Sequence, residues 1–170
     1  DNGNRIIAMP AWIKNQTQLA GMKWIASFPE NIKKGLPRAH SLLVLNDVQT
    51  GEVSSIINSQ LLSAIRAAAV TGLVLEAWKN KQTKNPQKIG ILGWGPVGQV
   101  HADLLEFLFP ESPLFYHDPS TRSTLPSLTK KAKSTDEKTL IHTSEILVTA
   151  TNALKPFITE TPEQAAFIVH

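Results

Sequence analysis

The sequence predicts an α/β protein with a parallel, doubly wound sheet in its C-terminal half, preceded by part of a mixed or antiparallel β domain. Three observations support this prediction. Residues 88–118 read as strand, glycine turn, helix and strand, residues 140–170 add further short apolar runs, and residues 1–58 hold β-like runs without helices between them. Alternating strands and helices favour a parallel sheet, whereas consecutive strands favour antiparallel pairing.

The composition of the chain argues against several classes of protein, among them nucleic-acid-binding, disulfide-rich and metal-binding proteins. The 170 residues are 42% hydrophobic and 18% charged, with a net charge of +3, which is typical of a folded globular protein. Basic residues are scattered, so no nucleic-acid partner is expected. The chain has no Cys and no His/Asp/Glu cluster with ligand spacing, so no disulfide or metal site is expected. No apolar run looks long enough to span a membrane and no signal peptide is visible, which favours a cytoplasmic location.

The first 58 residues predict four short strands. Each is an apolar or alternating run, and Pro10 and Pro29 are expected to end the first two. Residues 48–51 read as a hairpin turn before the last strand. The predicted strands are residues 5–9, 22–27, 41–45 and 52–58.

Residues 59–80 predict the clearest helix, with Ser59 or Asn58 as its cap. The helix has little polar surface, so it is expected to be buried on most sides, between two domains or at a subunit interface. The polar stretch 79–86 that ends it predicts a linker, which divides the chain into domains 1–80 and 87–170.

The second half predicts further strands and helices. Residues 120–138 read as a polar helix or loop, and residues 162–166 as a helical turn. A complete Rossmann domain has six strands, and only four or five are predicted here, so the domain is expected to be incomplete. The predicted strands are residues 88–92, 114–118, 140–143, 145–151 and 167–170.

The turn after the first of these strands matches the dinucleotide fingerprint G-x-G-x-x-G. Gly93 permits the tight turn, Gly95 lets a pyrophosphate approach the backbone, and Gly98 allows close packing of helix and strand. The helix N-terminus attracts phosphates. Asp118 follows the next strand and can accept hydrogen bonds from ribose hydroxyls. An unliganded glycine turn is the plainer alternative, and a methyltransferase fits the third glycine less well. The predicted cofactor-binding residues here are Gly93, Gly95, Pro96, Val97, Gly98 and Asp118.

The acid favours NAD over NADP, because a carboxylate repels a 2′-phosphate. Ser120 and Arg122 follow Asp118 and offer an alternative in which that phosphate is accommodated. Residues 149–152 end a strand at the edge of the sheet where such folds bind ligands. These cofactor-binding candidates are Thr149, Ala150, Thr151 and Asn152, and the alternative is an ordinary strand end.

Several segments together resemble the ornithine cyclodeaminase/mu-crystallin family, in order and with similar spacing over nearly the whole chain. They are GMKWI at 21–25, GLPRA at 35–39, LNDVQTG at 45–51, SAIRAAA at 63–69 and GWGPVG at 93–98. Within the family, residues 5–10 and 37–39 resemble the N-(2-amino-2-carboxyethyl)-L-glutamate dehydrogenase branch, which forms 2,3-diaminopropionate for siderophore and antibiotic biosynthesis.

The resemblance implies an NAD-dependent oxidoreductase that forms a homodimer and acts on a small amino-acid-derived substrate. It implies that residues 1–80 are part of a substrate-binding and dimerisation domain and that residues 87–170 are part of an NAD-binding Rossmann domain. Other activities in the family remain alternatives: ornithine cyclodeaminase, ketimine reductase and alanine dehydrogenase, besides a non-catalytic nucleotide-binding protein. The family's general acid/base Asp is expected beyond residue 170, so these residues alone are expected to be inactive.

The resemblance also assigns substrate residues. Lys23 matches the family's Gly-Ile-Lys lysine, implied to contact the substrate carboxylate near the reacting Cα–N bond. Arg66 matches the arginine of the Arg-Thr-Ala-Ala motif, although Ala67 replaces the threonine. A guanidinium in so apolar a helix is expected to need an anionic partner. Arg38 and Arg5 are weaker candidates for a second carboxylate.

Each of these cations has a structural alternative. Lys23 is equally compatible with a solvent-facing position on a strand. Arg66 could form an ion pair with Asp47 or Glu76. Arg38 and Arg5 could be ordinary surface charges.

Overall fold

The computed structural model describes residues 3–14, 16–119, 131–153, 155–159, 162–165 and 167–169. The chain divides into two compact units, Asp1–Ser63 and Ala64–His170. The division falls inside the long helix and not in the polar stretch 79–86, and the domain boundaries drawn from the sequence stay a prediction. Ser120 and Arg122 lie outside the described residues.

The first unit is a four-stranded antiparallel sheet in the order β1-β2-β3-β4. Consecutive strands pair with each other, as expected where no long crossover separates them. A 3-10 helix at Pro29–Lys34, which the sequence did not predict, connects β2 to β3. The strands are β1 Arg5–Lys14, β2 Gln18–Ser27, β3 Ala39–Asn46 and β4 Val53–Asn58.

Pro10 does not end the first strand, and that prediction was wrong. β1 runs on to Lys14, with Pro10 opposite Met22. β1 pairs only with β2, and one side of an edge strand has no partner, so a residue without an N–H is tolerated there. A sequence run containing proline cannot reveal that it lies at an edge.

The side chains of this first sheet are largely exposed on β1 and β4. Every residue of both strands is exposed, including Trp12 at 58% and Ile56 at 67%. The buried residues described within this unit are three serines, Ser27, Ser41 and Ser59. The apolar core of the described chain therefore belongs to the second unit.

Helix α1 spans Gln60–Lys79, close to the predicted 59–80. The expectation that it is buried on most sides was wrong, because only one stripe of its surface is covered. Gly72 lies in that stripe, close to Leu104. The buried residues are Ala64, Ala68, Thr71, Gly72 and Leu75. The large exposed apolar side chains of α1 are Leu61, Leu62, Ile65, Val70, Leu73 and Val74.

By length and composition α1 could cross a membrane, contrary to the expectation that no apolar run was long enough. It has 20 residues, a mean hydropathy of 1.5, and 28% of the apolar window is buried. Core helices of soluble proteins and signal sequences share these properties, so the observation alone is weak evidence for a membrane span. It is the one such helix in the described ranges.

The second unit holds a five-stranded parallel sheet in the order β7-β6-β5-β8-β9. This is the order of the first five strands of a Rossmann sheet, 3-2-1-4-5, which confirms the predicted fold class. Helices α2 Pro96–Leu108 and α3 Glu137–Thr143 form the connections that are described. The strands are β5 Ile89–Leu92, β6 Leu114–His117, β7 Lys133–Ser134, β8 Ile146–Thr149 and β9 Phe167–Val169.

Two local predictions in this unit were wrong. Residues 140–143, predicted as a strand, belong to α3, because Asp136 caps that helix by accepting from Thr139 N–H at 2.8 Å. Residues 162–165 form no helical turn. A short apolar run of four residues fits a strand or a buried helix face equally well. In this chain the Asp136 cap makes residues 140–143 helical.

The core of this unit lies around the central strands. β5 is fully buried, and β8 is buried except at Thr149. Trp78 packs edge-on against Phe109 at 6.3 Å between ring centroids. The main buried cluster is Leu75, Ile89, Ile91, Ala102, Leu105, Phe109, Leu114, Ile146 and Val148.

Candidate functional site

The carboxyl ends of three neighbouring strands form the candidate site. Gly93 follows β5, Asp118 lies just beyond β6, and Ala150 follows β8. β5 lies between β6 and β8, so successive connections leave it in opposite directions. Open α/β sheets bind ligands in the crevice at such a switch point.

Gly93 makes the turn that leaves β5. Its φ is +96°, in the region that side-chain-bearing residues rarely adopt, and its N–H donates to His117 O at 2.8 Å. A Cβ at Gly93 would lie 2.5 Å from Ala150 O. Backbone conformation and the neighbouring strand end thus both require glycine here.

Gly98 and Gly95 differ in what surrounds them. A Cβ on Gly98 would collide with the carbonyl oxygen of Gly93, so the third glycine allows helix and turn to approach each other. A Cβ on Gly95 would meet no heavy atom within 4 Å. The packing of this chain therefore does not require glycine at position 95, and the space beside it is open to a ligand.

Helix α2 begins at this open space. Gly95 is its N-cap and supplies no side-chain cap, and Pro96 occupies the first turn. The first N–H groups of a helix have no partner within the helix and carry its positive dipole end, which favours a phosphate. Val97 and Gly98 belong to this turn, so the predicted loop residues lie together.

Asp118 is joined to the glycine turn. Its Oδ2 accepts a hydrogen bond from Trp94 N–H at 2.5 Å. The Trp94 ring stacks on Tyr116 of β6, with centroids 3.9 Å apart and planes 18° apart. Neither aromatic residue was assigned a role from the sequence. The available signal was the aromatic residue at the second position of the turn.

The segment after β8 lies at the same sheet edge. Ala150 N–H donates to Leu92 O at 2.7 Å, which holds it beside the turn. Thr149 Oγ1 donates to Val169 O at 3.1 Å, which ties the end of β8 to β9. Thr151 and Asn152 are exposed. Ala150 and the backbone nitrogen of Thr151 thus lie close to Gly93.

His101 is a buried residue that the sequence analysis did not single out. Its Nδ1 lies 2.8 Å from Val97 O, and its Nε2 lies 3.0 Å from Thr71 Oγ1. A carbonyl only accepts, so Nδ1 carries the proton and Nε2 accepts from the threonine hydroxyl. Burial lowers the pKa of His101, and the Val97 hydrogen bond opposes this in part.

Lys23 lies in the middle of β2 and is partly buried. Its Nζ donates to Ser63 Oγ at 2.8 Å. Met9 and Leu43 lie opposite it on the adjacent strands. The ammonium group is therefore held by a polar partner and does not simply extend into solvent from the strand.

Arg5 and Arg38 lie away from Lys23 along the sheet. Arg5 is exposed at the start of β1, opposite Ser27, which is four residues from Lys23, about 14 Å at 3.4 Å per residue. Arg38 precedes β3, and its carbonyl accepts from Phe28 N–H at 2.8 Å. The backbone of both arginines therefore lies towards the end of β2 that is marked by Ser27, several residues from Lys23.

Arg66 is exposed on α1, so the expectation of a buried guanidinium was wrong. The ion pairs found in the described part of the chain do not include it. Its side chain borders a shallow, largely apolar groove between α1 and β9. The other groove residues are Ala67, Val70, Thr71, Val74, Phe167, Ile168 and Val169.

The described residues show no group of side chains that could bind a metal ion. Among those residues, no group of three or more His, Asp or Glu side chains lies close enough to hold an ion. His117 Nδ1 instead lies 3.0 Å from Thr135 O.

Comparison with known proteins gives relatives that match large parts of the chain. The nodulation efficiency protein NfeD of Rhizobium meliloti is 32% identical over 156 residues, 88% of this chain and 48% of that protein. The N-((2S)-2-amino-2-carboxyethyl)-L-glutamate dehydrogenase of Staphylococcus aureus is 34% identical over 113 residues, 63% of this chain and 33% of that enzyme. This chain thus spans about half or less of the length of these relatives.

Among solved structures, the fold resembles Thermococcus litoralis Δ1-pyrroline-2-carboxylate reductase in complex with NADH and L-proline. The TM-score is 0.76 at 22% identity, covering 92% of this chain and 50% of that one. The ornithine cyclodeaminase/mu-crystallin family model matches residues 1–162. The chain therefore belongs to the ornithine cyclodeaminase/mu-crystallin family.

Proposed function

We propose that the protein containing this chain is an NAD-dependent oxidoreductase that acts on the Cα–N bond of an amino acid or amino-acid adduct. The observation that supports it best is the open space beside Gly95, at the start of α2 and at the switch point of the sheet. A pyrophosphate suits that space, since it adjoins the N-terminus of α2 and no atom of the described residues lies within 4 Å of where a Gly95 Cβ would be.

NAD is the proposed coenzyme because an acidic residue, Asp118, follows β6 beside the glycine turn. Hydrogen bonding by Trp94 N–H to one carboxylate oxygen fixes the group beside the turn. A carboxylate held there accepts from ribose hydroxyls and repels a 2′-phosphate. The related pyrroline-2-carboxylate reductase was solved with NADH.

The proposed substrate is N-(2-amino-2-carboxyethyl)-L-glutamate. The resemblance of residues 5–10 and 37–39 supports this choice, as does the 34% identity to the staphylococcal dehydrogenase. NAD, when bound, accepts a hydride from the glutamate Cα of the adduct. The resulting iminium adds water, and cleavage of the C–N bond gives 2,3-diaminopropionate and 2-oxoglutarate.

Lys23 and Arg66 are the proposed carboxylate ligands. A lysine Nζ with three donors and an exposed guanidinium both suit a carboxylate. Their role in this chain would be to bind and orient the substrate, which brings the reacting atoms into line without changing the chemistry. The proposed assembly is a homodimer, as the family resemblance implies.

The test is turnover by the full-length protein. With NAD and the adduct we expect NADH to form together with 2-oxoglutarate, and we expect Lys23→Met to lower kcat/KM at least tenfold. Ornithine, alanine and proline serve as the comparison panel. Turnover of ornithine or alanine alone would move the protein to another activity of its family, and NADH binding without turnover of any of them would make it a binding protein.

A further inference from the structure

The surroundings of Lys23 are built on one face of the first sheet. Lys23 and Ile25 lie two residues apart on β2, so their side chains share a face. Ser41 lies directly opposite Ile25 on β3, which places its side chain on that face too. Ser41 is 5% exposed, whereas the other residues of β3 are more open.

The first turn of α1 is fastened to this face by Ser59 and Gln60. Ser59 Oγ donates to Ser41 Oγ at 3.0 Å, and Ser59 N–H donates to Ser41 O at 3.0 Å. Gln60 Nε2 donates to Ala39 O at 2.8 Å. These hydrogen bonds join side chain and backbone, so the helix start has one orientation relative to β3.

Ser63 follows one turn later. Its N–H donates to Ser59 O at 2.9 Å, so its position is set by the anchored turn. Its Oγ accepts from Lys23 Nζ at 2.8 Å in a partly buried contact. An unrestrained lysine side chain samples many rotamers, and a fixed acceptor at its tip removes much of that freedom before a ligand binds.

We infer that Ser63 is a positioning residue for Lys23: its hydroxyl, fixed by the Ser41–Ser59 pair, holds the ammonium group in the orientation that receives a substrate carboxylate. The inference rests on the substrate-binding role proposed for Lys23. Ser63 itself does not touch the substrate. Its hydroxyl reduces the ordering needed on binding, so its loss weakens substrate binding and leaves coenzyme binding intact.

Kinetics of the full-length protein give the first test. We expect Ser63→Ala to raise KM for the amino-acid substrate at least tenfold, to change kcat less, and to leave the Kd for NADH within twofold. Ser63→Thr keeps the hydroxyl and is expected to retain KM within threefold. Ser63→Val, whose side chain is isosteric with that threonine, lacks the hydroxyl and is expected to raise KM as Ser63→Ala does. Ser55→Ala, an exposed serine on β4, is the matched control.

Chemical labelling of the full-length protein gives a test that needs no turnover. The acetylation rate of Lys23 by acetic anhydride is measured by mass spectrometry relative to Lys81. We expect a rate at least threefold higher in Ser63→Ala and Ser63→Val than in wild type, and near the wild-type rate in Ser63→Thr and Ser55→Ala. If Ser63→Ala does not fold, the comparison of Ser63→Thr with Ser63→Val tests the positioning role.

The two measurements separate the inference from the function on which it rests. Unchanged labelling of Lys23 in both Ser63→Ala and Ser63→Val overturns the positioning role, whatever the enzyme does. If the Ser63 variants label faster but the protein turns over no substrate in the panel, the contact between Ser63 and Lys23 is supported and the proposed function is rejected. Turnover with an unchanged KM in Ser63→Val also overturns the inference.

Discussion

Gly93 and Gly95 lie two residues apart in one turn, yet glycine is present at each for a different reason. Gly93 has a positive φ and faces Ala150 O, so the fold requires it. Gly95 has an ordinary φ of −74° and open space where a Cβ would lie. The described part of the chain does not account for the second glycine, whereas the proposed pyrophosphate site would account for it.

Alanine at these two positions separates folding from binding. Gly95→Ala is expected to leave the melting temperature nearly unchanged and to weaken NADH binding about tenfold, because its methyl enters the pyrophosphate space. Gly93→Ala is expected to destabilise the protein by about 1–3 kcal/mol through strain. Thermal unfolding and NADH titration of both variants check this. Equal NADH affinity in Gly95→Ala and wild type would contradict the assigned site.

Coenzyme choice is predicted to depend on the charge of Asp118. Asp118→Asn keeps an oxygen for Trp94 N–H but removes the charge that repels a 2′-phosphate. We expect the ratio of NADPH to NADH dissociation constants to fall about tenfold, measured by titration of each coenzyme. Glu111→Gln, in the exposed turn after α2, removes the same charge elsewhere and should leave the ratio unchanged. A ratio that stays constant in Asp118→Asn argues against a ribose contact.

His101 predicts a pH dependence of stability. Burial lowers its pKa from 6.5, so the folded state resists a proton that the unfolded state accepts. Neutral, buried His101 therefore contributes to the free energy of unfolding above about pH 6.5, and this contribution is lost as the pH falls below that value. The free energy of unfolding then changes by at most about 1.4 kcal/mol per pH unit. Urea unfolding of the full-length protein between about pH 8 and about pH 5.5 measures it. His101→Gln should reduce the dependence of the free energy of unfolding on pH, whereas His40→Gln, at an exposed position, should leave it unchanged. The same pH dependence in His101→Gln and wild type would refute the assignment to His101.

At the scale of elements, helix α1 shows why spacing alone did not determine burial. Its sequence is apolar on nearly all sides, yet the structure covers one stripe, which includes Gly72. A Cβ on Gly72 would lie 3.1 Å from Leu104 Cδ2 of α2. The small residue lets the two helices approach, and hydropathy gives no direct sign of this contact.

Valine at two neighbouring positions tests that contact. Gly72→Val is expected to lower the free energy of unfolding by about 1–3 kcal/mol through overpacking against Leu104. Leu73→Val introduces the same side chain at a position that is 70% exposed, so its effect should stay within about 0.5 kcal/mol. Urea unfolding compares the two. Similar losses in both variants would show that helix propensity and not packing sets the effect.

At the scale of the whole molecule, the strands and the site were not equally predictable. The Rossmann half followed from the sequence because buried strands, the glycine turn and Asp118 are local patterns. Pro10 was misjudged because edge position is a tertiary property. Residues 140–143 were predicted as a strand because a short apolar run does not reveal that Asp136 caps a helix there.

Contacts between distant segments were the least predictable. Ser63 meets Lys23 across 40 residues, and His101 meets Thr71 across 30. Neither pair has a spacing that periodicity can detect. Arg66 was expected to be buried from its apolar neighbours, but exposure depends on what covers a helix, which the helix sequence does not state.

The central claim is that the crevice beside Gly95 binds NAD. Calorimetric titration of the full-length protein with NADH, run in parallel on Gly95→Ala, tests it most directly. We expect one NADH per subunit with a micromolar Kd in the wild type and a clearly weaker Kd in the folded variant. The absence of any NADH binding by the folded wild-type protein would contradict it.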